Sequence, residues 1–74
     1  MWEYMIFEKS VLGKPKNIEG GQNKFFADIL ESLPLIEAMN KAGNNGWELV
    51  MVIPESGGLL YYQGEKYVFK KQIS

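Results

Sequence analysis

Gly43-Asn44-Asn45-Gly46-Trp47-Glu48-Leu49-Val50 is the stretch on which the fold turns. Its first half is glycine and asparagine; its second half alternates apolar and polar side chains. Glycine adopts the left-handed conformation after a helix without a Cβ penalty, and asparagine tolerates it. A helix is therefore expected to stop at Gly43, the chain to turn through Gly46, and a strand to start at Trp47. Gly43, Gly46 and Trp47 are read as structural residues, with Trp47 closing one end of the core.

Upstream of this turn, residues 33–43 carry the pattern of the main helix. Pro34 suits the first helical position, where a missing N–H costs nothing, and disfavours α geometry at Leu33. Ile36, Met39, Asn40 and Gly43 fall along one face, flanked by Leu35, Ala38 and Ala42. Before it, Phe25, Phe26, Ile29 and Leu30 repeat at the spacing of a short helix over residues 25–31. Residues 10–24 hold Gly13, Pro15, Asn17, Gly20, Gly21 and Asn23, all turn formers, and are expected to be a loop.

Downstream, residues 47–53 alternate as a strand, with Trp47, Leu49, Met51 and Ile53 on one face and Glu48, Val50 and Val52 on the other. Pro54 ends it and Ser56-Gly57-Gly58 supplies a turn. A last strand is expected over 59–73, interrupted at Gln63-Gly64 by a hairpin tip or a bulge. Lysines 66, 70 and 71 there are suited to guarding an edge. At the other end of the chain, residues 2–9 alternate again: Trp2, Tyr4 and Ile6 point one way, Met5 and Phe7 the other.

The expected fold is a single α+β domain over residues 1–74. Its order is β-α-β-β: a small, mainly antiparallel three-stranded sheet with one main helix on one face. One helix covers only one face, yet both faces carry apolar residues. Met5, Phe7, Val50, Val52 and Val68 are the candidates for a second apolar surface, with Tyr61 and Tyr62 on the nearby hairpin. An uncovered patch of this kind marks an interaction surface, and a homodimer is the expected way to cover it. A ligand site is expected at the subunit interface, near residues 13–22 and the Tyr61-Tyr62 hairpin.

Composition narrows the function. The 74 residues include ten aromatics and no cysteine, so neither a disulfide nor a thiolate metal site supports the small core. Eight lysines face nine acids, with no arginine and no histidine. The missing arginine removes the bidentate fork of phosphate recognition, and the missing histidine removes the usual acid–base group and metal ligand. Four serines stand without a base or a nucleophile elbow. No catalytic, cofactor-binding or metal-binding residue is assigned, and the chain is not expected to be an enzyme. With no basic leader and no long apolar run, it is expected in the cytoplasm rather than at a membrane. Tyr61, Tyr62, Tyr67 and Phe69 beside Lys66, Lys70 and Lys71 offer the alternative of a nucleic-acid face, where aromatics stack bases and lysines follow phosphates.

Trp2-Glu3-Tyr4, Gly43-x-x-Gly46-Trp47-Glu48-Leu49-Val50 and the closing Tyr67-Val68-Phe69-Lys70-Lys71 together resemble the small bacterial and phage proteins of domain-of-unknown-function family 4177. The resemblance covers the first strand and the last part of the chain. It implies no functional residue, since that family has no assigned activity. Residues 13–31 and 59–64 depart from the pattern, and such loops are where a rigid scaffold carries function. The functional expectation is a small oligomeric binding module whose partner is a protein or a small-molecule ligand.

Overall fold

The computed structural model describes residues 1–21, 23–56 and 62–73, with 55, 56 and 62–64 as backbone only. Its elements run β1 (Trp2–Lys9), β2 (Pro15–Gly20), α1 (Lys24–Glu31), α2 (Leu35–Asn44), β3 (Glu48–Ser56) and β4 (Tyr62–Gln72). The four strands form one antiparallel sheet in the order β2-β1-β4-β3. The architecture is α+β with helices on one face, as expected, but the sheet has a fourth strand.

That strand, β2, occupies residues expected to be a loop. Pro15 lies opposite Lys9, Lys16 opposite Glu8, and Glu19 opposite Ile6. Between Lys16 and Glu19 the strand holds an extra residue, and Asn17 takes a left-handed φ of 51° there. Such a bulge lets turn-forming residues sit inside a ladder. At its end Gly20 has φ 79°, and a Cβ there would collide with the Tyr4 carbonyl oxygen. Only glycine fits so close an approach of two backbones.

The β1 and β4 strands are the two central ones and pair without interruption from Trp2 opposite Gln72 to Glu8 opposite Lys66. This pairing ties the ends of the described chain together, and the Ile73 N–H donates to the Met1 carbonyl at 2.9 Å. Met5 faces Phe69 and Phe7 faces Tyr67, so all four share the face under the helices.

Helix α1 is capped by Asn23, whose Oδ1 accepts from the Phe26 N–H at 3.0 Å. Helix α2 begins after Pro34, which stands in the capping position just outside the helix with an extended ψ of 153°. The α2 N-terminus is tied to the β1–β2 hairpin, where the Leu35 N–H donates to the Gly13 carbonyl at 2.8 Å. The inward stripe of α2 is Ala38 and Ala42, both fully buried, with Leu35 and Met39 packed beside them. The stripe is rotated from the Ile36-Met39-Asn40-Gly43 face read from the sequence; Ile36 is 69% exposed. Two alanines one turn apart present almost no side chain, and the cluster they join is filled by Phe7, Phe69, Trp47 and Tyr67.

The turn at residues 43–50 closes α2 differently from the expectation. The helix runs on through Gly43, and Gly46 is the left-handed residue, with φ 92°. The Trp47 N–H donates to the Ala42 carbonyl and the Gly46 N–H to the Gly43 carbonyl, each at 3.0 Å. These are the two reverse bonds of a Schellman motif, with Ala42 and Trp47 both buried beside it. The Asn45 side chain adds a bond to the Lys41 carbonyl at 2.8 Å.

The buried core among the described residues is Met5, Phe7, Leu30, Ala38, Ala42, Trp47, Tyr67 and Phe69. Phe7 sits between Phe69 and Tyr67, with ring centroids 5.0 and 5.8 Å away and tilted planes. Tilted aromatic contacts add to the area term. The buried Tyr67 keeps its hydroxyl satisfied by donating to Glu65 Oε1 at 3.0 Å, and Lys9 stands 3.9 Å from the same carboxylate oxygen.

Candidate interaction surface

Among the described residues, none covers the sheet face opposite the helices. On β1 it presents Trp2, Tyr4, Ile6 and Glu8; the β4 residues opposite them are Gln72, Lys70, Val68 and Lys66. Residues directly opposite in an antiparallel pair share a face, so the same rule extends the surface onto β3. Glu48 lies opposite Lys70, Met51 opposite Val68, and Ile53 opposite Lys66. The result is an apolar row, Ile6–Val68–Met51, running across three strands. Charged rows flank it: Lys70 stands between Tyr4 and Glu48 on one side, and Lys66 between Glu8 and Ile53 on the other. On β2, Lys16 extends the Glu8–Lys66 row, and Glu19 closes the end of the apolar row beside Ile6.

This surface has a sharply local character. Trp2, Tyr4, Met51 and Ile53 are 42–55% exposed, while Ile6 and Val68 are half-buried between neighbours. The Lys70 ammonium lies 4.1 Å from the Trp2 ring centroid, a cation–π contact. Lysines 16, 66 and 70 are matched by glutamates 8, 19 and 48, so the described side chains of the face carry no net charge.

The residues singled out from the sequence separate. Met5 and Phe7 are 1% and 0% exposed and belong to the core, not to a second surface. The alternation in β1 was legible, but its inner face was assigned the wrong way round. The signal that decides it lies in β4, where Lys66, Val68 and Lys70 alternate with Tyr67 and Phe69. Lysines mark the wet face, and the register carries that choice to β1. Val68 does lie on the open face. Val50 and Val52 lie on β3, both exposed. Between Leu49 and Met51 the strand carries an extra residue, Val50, so the pleat reverses there. Leu49 and Val52 fall on the helix side, and Met51 and Ile53 on the open side. Simple alternation had put Leu49, Met51 and Ile53 together. A second irregularity lies where Pro54 and Ser56 oppose Glu65 and Tyr62, which places the extra residue on β4 at Gln63-Gly64, a bulge inside a continuous strand. Tyr61 lies outside the described residues, and Tyr62 is described as backbone only. Trp2, Tyr4, Ile6, Met51 and Ile53 were missed as surface residues.

Two open grooves flank the helices, one of about 450 Å³ beside Ile29, Leu33 and Lys41 and one of about 510 Å³ between β2 and α1, beside Ile18, Lys24 and Asp28. A recess of about 100 Å³ lies at Trp47, Glu3 and Lys71. Enclosed, mainly apolar walls are what a small-molecule site needs, and neither groove encloses its contents. Among the described residues no three Asp or Glu side chains gather to hold a metal ion, and no helix is long and apolar enough to cross a membrane. Comparison with protein-family models, curated proteins and solved structures gives no match to the chain.

Proposed function

We propose that the chain is a small oligomeric interaction module that works by binding, in the cytoplasm, with a protein as its partner. The observation that carries this reading is the uncovered sheet face with its Ile6–Val68–Met51 row. Apolar side chains at the centre of a polar rim are the anatomy of a protein–protein contact. An open face across three strands suits a macromolecule better than a small ligand, which needs enclosing walls. On this reading the chain is a relative of the bacterial and phage family that its Trp2-Glu3-Tyr4 and residues 43–50 resemble.

The nucleic-acid alternative loses most of its platform. Tyr67 and Phe69 are buried under the helices and cannot stack bases. The lysines of the open face are balanced by glutamates, so no net attraction for phosphate results.

Native mass spectrometry of the protein isolated from its own host tests the proposal. The expected species is an oligomer carrying a protein partner, and Val68→Lys should lose that partner while keeping the circular-dichroism spectrum. A bare monomer, or a retained nucleotide or small molecule, would overturn it.

A further inference from the structure

The two edges of the sheet are built differently. The β2 edge carries Pro15, Lys16, a left-handed Asn17, Glu19 and Gly20. Proline, charge and a bulge all hinder the addition of a strand; β3 shares a bulge, at Val50, and a proline, Pro54, but has no charge between Glu48 and Pro54. The β3 edge carries Leu49-Val50-Met51-Val52-Ile53, five apolar residues in a row without a charge. Each is 40–51% exposed. The strand has a partner only on its β4 side, so among the described residues its outer backbone groups pair with no other strand.

We propose that β3 is the site where a second copy of this chain joins, edge to edge, to make a continuous eight-stranded sheet about a two-fold axis. The inference rests on the oligomeric half of the proposed function and names its contact. Two features of the chain point to a second copy as the occupant. The regular part of the strand lies between the bulge at Val50 and Pro54, and its centre is Val52. A two-fold axis at Val52 sets Met51 opposite Ile53, both on the open face, and Val52 opposite its own copy on the helix side. That arrangement keeps the pleat in phase across the seam. Finally, pairing β3 with β3 leaves only the guarded β2 edges outward. The assembly therefore closes at two copies instead of growing into a ribbon. The open faces of both copies become one surface, still available to a partner.

Two substitutions separate this contact from docking on the open face. Val52 lies on the helix side of β3, out of reach of a partner lying flat on the open face. Tyr4 lies on β1, two strands in from the β3 edge, out of reach of an added strand. By light scattering over a concentration series, wild type is expected to be a dimer. Val52→Lys is expected to raise the dimer dissociation constant at least tenfold with an unchanged circular-dichroism spectrum, and Tyr4→Glu to leave it within twofold. Because the chain has no cysteine, Val52→Cys gives a single thiol. Directly opposed strand residues have Cα atoms about 4.5–5.5 Å apart, within disulfide reach. Mild oxidation should then link the dimer covalently. If Tyr4→Glu breaks the dimer and Val52→Lys does not, the second copy sits on the open face; the edge contact is overturned and the oligomeric reading stands. A wild-type monomer overturns both, and open-ended polymers overturn the closed two-fold.

Discussion

At the scale of single residues, two glycines three positions apart have opposite roles. Gly46 has φ 92°, and a Cβ there would touch Lys71 only at 3.4 Å, so its constraint is conformational rather than steric. Forcing an L side chain into the left-handed region costs about 1–2 kcal/mol. Gly43 is helical, and a Cβ there meets nothing within 4 Å. Alanine at that position should gain up to about 1 kcal/mol of helix propensity. Gly46→Ala should therefore lower the thermal midpoint by several degrees, and Gly43→Ala should raise it, since about 1 kcal/mol moves a domain of this size by 4–8 °C. Thermal melts of the two variants side by side check both signs. Trp47 marks the other side of the same turn. It is buried to 5% exposure, with Lys71 Nζ 5.7 Å above its ring. Trp47→Ala should cost about 3 kcal/mol or more, out of a total of about 4–11 kcal/mol for a chain of 74 residues. Urea denaturation, read as the shift in midpoint at constant slope, measures that loss.

At the scale of elements, the contribution of the caps is separable from that of packing. Asn23→Ala should lower stability by about 1 kcal/mol by freeing the Phe26 N–H, while Asn23→Asp keeps an acceptor and should restore it; urea midpoints of the pair distinguish the two. The helices and the first strand were legible because their signals are local: alternation in residues 2–9, an apolar repeat in α1, and Pro34 before α2. Strand β2 was not, for a physical reason. Of its six residues only Pro15 is buried, and Ile18 is half-buried. Its turn-forming residues outnumber its inward ones. What makes it a strand is the ladder offered by β1, a tertiary cause that no window of sequence contains. The bulge at Val50 was hidden for the same reason, and with it the true division of β3 between the two faces. Consequently the existence of an uncovered face could be read from the sequence, but of the residues named for it only Val68 is placed there by the β1–β4 register: the reading rested on period alone, and the register with β4 decides the phase.

At the scale of the whole molecule, the last strand in sequence is one of the two innermost in space. Strand β4 has β1 on one side and β3 on the other, and it supplies Tyr67 and Phe69 to the core. During synthesis, residues 1–56 emerge before any of it. Until β4 arrives, Met5 and Phe7 lack the aromatic neighbours that bury them, and β3 has no strand to pair with on either edge. The β1–β2 hairpin can form early, but the sheet cannot close from the N-terminal side alone. The sheet can therefore be completed only after β4 has emerged. In the interval before it, the unpaired apolar run of β3 is exposed on both edges, the moment at which a nascent copy is most open to meeting another.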